Sequence, residues 1–267
     1  MTRRDVLAEI ARCEAEGTFD VHVDPIPHEL TLPVDENYRY VGHRTFFEGI
    51  KYRLEKFFCV WPFTWYENTF VLKTRYVGRE NLRGLRAAVL TCNHVDKFDC
   101  LAVKYGARPH RTYVMAADFN NMRGFLGEMM RAGDMVPLNT TMHGRMQFAR
   151  VVEEILTRRK KFLLVYPEAA MWWHYEKPRP YKDGAFSFAA KYGVPVVPQF
   201  ITFRDMKKTD AEGLPKKQFT VHIGKPIYPK AALSRRENIA FLREESFRFC
   251  KETYETVYGK PLSYEEQ

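Results

Sequence analysis

Residues 92–99 read CNHVDKFD and place a histidine, His94, five positions ahead of an aspartate, Asp99. The run AAVLTC that leads into them has the composition of a buried strand, so the pair stands where a strand gives way to a loop. A loop of that length can bend the carboxylate onto one ring nitrogen. The carboxylate then fixes the tautomer and supports the imidazolium that forms when the other nitrogen takes a proton. The plainer alternative is that Asp99 caps the next helix and His94 bonds a backbone carbonyl; Asp96 is a rival partner only two residues away. A second candidate lies in VYPEAAMWWHYE, residues 165–176. Glu168 follows a proline at the end of another apolar run, where a charge is costly unless it faces a cleft or is paired. It therefore binds something or closes a salt bridge with a nearby Arg or Lys. Trp172, Trp173 and His174 are too bulky and clustered for an ordinary exposed loop. They form extra core at the sheet rim or the wall of a pocket. No spaced pair of ligands accompanies His174, so no metal is expected.

The elements that must position these groups follow from periodicity. Strands are expected at 70–77, 87–92, 111–116, 134–137, 162–166, 196–203 and 218–223. Helices are expected at 98–106, 119–131, 143–159, 183–192 and 235–257. Strands alternating with helices predict an α/β fold with a mostly parallel central sheet flanked by helices. Both candidate segments follow strands, and the site of an open parallel sheet lies beyond the carboxyl ends of its strands. They therefore belong to one rim.

Four segments are expected: a polar extension over 1–42, an amphipathic helical segment over 43–69, the α/β domain over 70–234, and a C-terminal helix packed on it over 235–267. In the extension, Asp5 to Glu16 suits a short helix, and three prolines make 24–36 irregular. In the second segment, Phe46, Phe47, Ile50, Leu54, Phe57, Phe58 and Trp61 fall on one broad helical face, with Arg44, Lys51, Arg53 and Lys56 beside or opposite it. Pro62 ends or kinks that helix. The face either packs on the core or lies at a membrane interface, with Phe46, Phe57 and Trp61 at headgroup depth.

The chain of 267 residues is 45% hydrophobic and 15% aromatic, with 42 Lys plus Arg against 33 Asp plus Glu. A basic balance suits nucleic acid, an anionic membrane surface or phosphorylated substrates. The basic residues are scattered and no nucleic-acid motif is present, so nucleic acid is not an expected partner. Five cysteines without a CxxC pair argue against structural zinc and a disulfide framework. The charged N-terminus has no apolar signal region, and no uninterrupted apolar run reaches about 18 residues.

Together these residues resemble the glycerolipid acyltransferase family that includes the 1-acylglycerol-3-phosphate acyltransferases. NHVDKFD at 93–99 matches the family's NHxxxxD. YPEAA at 166–170 stands for its Phe-Pro-Glu-Gly segment, and YKDGAFSFAAKYGVPVVP at 181–198 ends in its Val-Pro strand. The lead-in YVGRENLRG at 76–84 also fits, and the likeness spans roughly residues 45–225. The resemblance implies His94 as general base on an acceptor hydroxyl, Asp99 as its orienting acid, and Glu168 as a holder of the acceptor head group. It implies backbone N–H groups near the first block as oxyanion donors, with no metal or cofactor. The donor would be an acyl thioester, on coenzyme A or acyl carrier protein. The acceptor would be a lysophospholipid or related lipid, met from the cytoplasm on the inner face of the cell membrane. The chain departs from the family at three places. Ala169 replaces the glycine, Met171-Trp172 replaces a common Thr-Arg, and Asn139 stands near the arginine that commonly ends the second block. Arg145 and Lys182, with Arg150 and Arg179, are the cations that could replace the missing ones at the acceptor; Trp172, Trp173 and His174 would wall the pocket. A lipid-binding module without turnover and a thioester or lipid hydrolase are the alternatives.

Overall fold

The computed structural model describes residues 1–24, 26–40, 45–139 and 141–264. Seven strands form one sheet: β1 Arg75–Val77, β2 Ala88–Thr91, β3 Thr112–Ala116, β4 Met135–Pro137, β5 Phe162–Val165, β6 Val196–Thr209 and β7 Pro215–Ile223. Their order is β1-β7-β6-β2-β5-β3-β4. Every pairing is parallel except the β6–β7 hairpin. The expected α/β fold with a mostly parallel sheet is therefore present.

The apolar runs AVLT and FLLV become the centre because helices cover both faces. Successive side chains of a strand point to opposite faces. On one face Val89, Leu163, Val165 and Val196 pack with Phe148, Val152, Phe186, Ala189 and Leu242. These come from α6 Met142–Glu153, α7 Gly184–Tyr192 and α8 Arg235–Tyr258. On the other, Ala88, Leu90, Phe162, Leu164 and Val197 pack with Ala102 and Val103 of α4 Asp99–Gly106. The remaining helices are α1 Arg3–Ala15, α2 Phe46–Glu55, α3 Trp61–Tyr66 and α5 Gly124–Ala132.

Three elements differ from the sequence expectation. The aromatic helix does not stop at Pro62. It runs as α2, a π turn over Lys56–Val60, α3 and a second π turn over Glu67–Val71. The wide turn directly precedes Pro62, where a missing N–H and a bulky ring would break regular α bonding. Residues 70–74, expected to open the first strand, thus belong to the helix and its exit. Helix α5 starts at Gly124 rather than 119, after a short 3-10 turn at Asp118–Asn120. The β6–β7 hairpin extends past Phe203 through exposed, charged residues that carry no alternating signal.

Residues 1–24 and 26–40 are built onto the domain. Thr2 and Asp5 form a capping box for α1, which buries Val6, Ile10 and Cys13 against Trp172 and Trp173. Tyr40 is buried, and its hydroxyl donates to the Pro137 carbonyl at 3.1 Å. The segment boundary expected at 42/43 lies outside the described residues.

Candidate active site

His94 leaves the carboxyl end of β2, and Asp99 opens α4. Between them Asn93 fixes the loop to the neighbouring strand. Its amide donates to the Ile201 carbonyl at 3.0 Å and accepts from the Ile201 N–H at 2.7 Å, fully buried. The carboxylate Oδ2 of Asp99 stands 2.8 Å from His94 Nδ1. The same oxygen accepts from the N–H groups of Val95 at 2.8 Å and Asp96 at 3.1 Å. Its other oxygen accepts from the Tyr166 hydroxyl at 2.6 Å. A carboxylate oxygen beside Nδ1 favours the tautomer with the ring proton on Nδ1, which leaves Nε2 with its lone pair. Burial and the nearby Asp99 charge push the Tyr166 hydroxyl well above its usual range, so it remains a donor. Its ring also stacks on His94, with centroids 4.0 Å apart. Asp96 is not the partner of His94. It accepts from the Phe98 N–H at 2.9 Å and faces His174 Nε2 at 3.4 Å.

Glu168, from beyond β5, reaches the same loop. Its Oε2 accepts from the His94 N–H at 3.1 Å. It was expected at an acceptor; instead it is 1% exposed and saturated by Arg179, itself 1% exposed. Arg179 donates to Oε2 from Nη2 at 2.7 Å and Nε at 3.2 Å, and its backbone N–H donates to Oε1 at 3.0 Å. The guanidinium also donates to the Phe19 carbonyl at 2.9 Å and lies over the Trp172 ring at 4.6 Å. The alternative of a salt bridge describes Glu168, and its partner is Arg179.

The tryptophan insertion is a brace. Trp172 is fully buried and Trp173 nearly so, both in the cluster with α1. The backbone of this segment pairs with the histidine loop: Trp172 N–H donates to the His94 carbonyl at 3.0 Å, and His174 N–H to that of Val95 at 2.8 Å. Trp172 Nε1 donates to the Val21 carbonyl at 2.9 Å. His174 is held between Asp96 and a stacked Trp173. Ala169 has φ +68°, a left-handed conformation that suits the family's glycine and strains alanine. Among the described residues no group of three His, Cys, Asp or Glu could hold a metal.

Other expected residues lie elsewhere. Lys182 is exposed and pairs with Asp20 at 2.7 Å. Arg145 is exposed on α6, with no contact to His94 or Asp99. Asn139 is buried, donating to the Asp35 carbonyl at 2.9 Å. The backbone N–H groups of His94, Val95, Asp96, Phe98 and Asp99 all donate within the protein; among the described residues that of Lys97 meets no acceptor. Phe46, Phe57 and Trp61 are all more than half exposed.

Sequence reasoning missed the part played by residues 19–24. Phe19 and Val21 accept from Arg179 and Trp172, Asp24 pairs with Lys97 at 3.4 Å, and His22 is close enough to His94 to feel its charge. Burial and that charge lower the His22 pKa. A polar, irregular stretch of sequence carries no signal for such a route.

A histidine held by a carboxyl group at the rim of a mostly parallel α/β sheet is an arrangement suited to proton transfer. Residues 73–202 match the family model described as Acyltransferase, and this segment is an acyltransferase-family domain, as the resemblance at NHxxxxD implied. The chain is similar in fold to the crystal structure of the 1-acyl-sn-glycerophosphate (LPA) acyltransferase PlsC from Thermotoga maritima. The TM-score is 0.59 at 18% identity, covering 81% of this chain and 91% of that one. No curated protein is significantly similar in sequence.

Proposed function

We propose that the chain moves a fatty acyl group from an acyl thioester to the hydroxyl of a lysophospholipid or related lipid, with His94 as the base. The observation that carries this reading is the 2.8 Å contact between His94 Nδ1 and the buried carboxyl group of Asp99. His94 Nε2 takes the acceptor's hydroxyl proton as the oxygen attacks the thioester carbonyl. The tetrahedral oxyanion finds the Lys97 N–H on the same loop. The C–S bond then breaks, and the imidazolium returns its proton to the leaving thiolate. No acyl-enzyme, metal or cofactor enters this scheme; coenzyme A or acyl carrier protein is the carrier of the donor. The family match of residues 73–202 supports acyl transfer, and the named activity of the Thermotoga protein supports a glycerolipid acceptor.

The acceptor would be met at a membrane surface. Among the described residues no helix is long and apolar enough to cross a membrane. The continuous helix over 46–71 turns its aromatic side outward, with Phe46, Phe47, Phe57, Phe58, Trp61 and Trp65 exposed. Its inward side carries Thr64, Glu67 and Asn68. Such inverted amphipathicity suits peripheral binding to anionic lipid, on the cytoplasmic leaflet for a cytoplasmic enzyme.

The test is a panel of acyl thioesters and hydroxyl lipids with products identified by mass spectrometry. The panel includes acceptors with and without a phosphate, because Arg179 is occupied by Glu168 and Lys182 by Asp20. A new acyl ester that appears only when acceptor is present supports transfer. Release of free fatty acid alone identifies a hydrolase, and lipid binding without turnover a module.

A further inference from the structure

A large cavity lies away from the histidine. It measures about 730 Å³ and sits at the amino ends of β3 and β4, under α2 and the π turn that follows. Along α4, Asp99 marks the catalytic rim and Tyr105 the cavity, about 9 Å apart at 1.5 Å per residue. Six cations line it: Arg53, Lys56, Lys104, Arg108, Arg111 and Arg159. Among the described lining residues Asp134 is the only carboxylate.

Asp134 is buried beneath Lys56, with Arg111 at 2.5 Å and Lys104 at 3.9 Å. Arg159 pairs with Glu154, outside the lining, at 2.6 Å. Two carboxylates thus face six cations. Among the described residues Arg53 is exposed and stands in no ion pair, and the exposed Arg108 lies over the face of the Tyr105 ring at 5.3 Å. Burial lowers the pKa of Lys104 to about 8, against the pull of Asp134, and the neighbouring Lys56 and Arg111 add smaller shifts in the same direction as burial. Phe46, Ile50 and Trp61, exposed on the aromatic side of the helix, belong to the same lining. The cavity therefore joins a cationic floor to an apolar, outward-facing mouth.

We infer that this cavity is a second, non-catalytic site for the phosphate head group of an anionic membrane lipid. It fills when the aromatic helix lies at the interface. Phosphate supplies the missing negative charge, and the flanking rings meet the first methylenes of the acyl chains. The inference rests on the membrane reading of the helix and adds to it a specific head-group pocket. Guanidinium groups suit phosphate because their planar donors engage two oxygens at once.

The experiment is vesicle flotation of the full chain at fixed physiological salt. One set of vesicles is phosphatidylcholine alone; the other adds a fraction of phosphatidic acid. Wild type is expected to bind the phosphatidic acid vesicles more tightly. Arg53→Gln with Arg108→Gln, both exposed positions, should lower that binding about tenfold and leave binding to phosphatidylcholine unchanged. Lys207→Gln with Lys208→Gln, an equal loss of charge on the distant hairpin, should keep the wild-type preference. Equal losses in the two pairs would assign the effect to diffuse surface charge and overturn the site, as would full binding by the arginine pair. Calorimetry with inorganic phosphate separates the sources. Phosphate binding abolished in the arginine pair, with no preference of wild type for phosphatidic acid, would make this a soluble-phosphate site and overturn the lipid assignment. Phe57→Ser with Trp61→Ser should lose binding to both vesicles; full retention would show instead that the membrane reading itself has failed.

Discussion

At the scale of single residues, His94 and Asp99 act through a loop that other side chains hold. Asp99 fixes the ring, Tyr166 supports Asp99, and Glu168 grips the His94 backbone while neutralising Arg179. Glu168→Gln leaves the Arg179 charge buried without its counter-ion. That should destabilise the fold by about 3–5 kcal/mol in urea unfolding, and Glu168→Gln with Arg179→Met should recover part of the loss. A role in acceptor binding would instead raise KM with little change in stability. Ala169 makes the opposite prediction. Ala169→Gly relieves a left-handed alanine and should stabilise by roughly 1 kcal/mol, read from the urea midpoint at constant m-value. The pair His94–Asp99 was legible because a strand end and a five-residue spacing confine it. Arg179 was not, because its approach to Glu168 depends on a loop path with no periodic signal.

Among the elements, the helix over 46–71 was legible as amphipathic, but its orientation was not. Periodicity shows that one face is aromatic; it is silent on whether that face meets the sheet or the solvent. Packing decides it: Asn68 donates to the Thr64 carbonyl at 2.8 Å and the Leu101 carbonyl at 3.3 Å, and accepts from Thr74 and Tyr76, so the polar side is the docked side. Phe57→Ser and Trp61→Ser should each change unfolding free energy by no more than about 0.5 kcal/mol, whereas a core aromatic would cost several times that. A large loss in the urea midpoint would mean that those rings are core. For the tryptophan insertion the sequence left two readings, extra core or a pocket wall, and packing against α1 makes both rings core.

Over the whole molecule, the sheet order and the shared rim follow from alternating strands and helices with short connections. What the pattern could not convey is that the first 24 residues close over that rim. Helix α1 roofs the tryptophans, and residues 19–24 run past Arg179, Trp172 and Lys97. The histidine loop is thus held from below by the sheet and from above by the start of the chain. For the proposed acyl transfer, in which water would compete with the acceptor for the thioester, such an enclosure would be an advantage.

The most direct measurement is acyl transfer to a vesicle-borne hydroxyl lipid by the wild type and by His94→Ala, with urea unfolding as a check on the fold. Transfer should fall by about 10³-fold with an unchanged unfolding midpoint, the share a positioned base contributes. A folded His94→Ala protein that keeps transfer within a few-fold of wild type would contradict the assignment of His94 as the base.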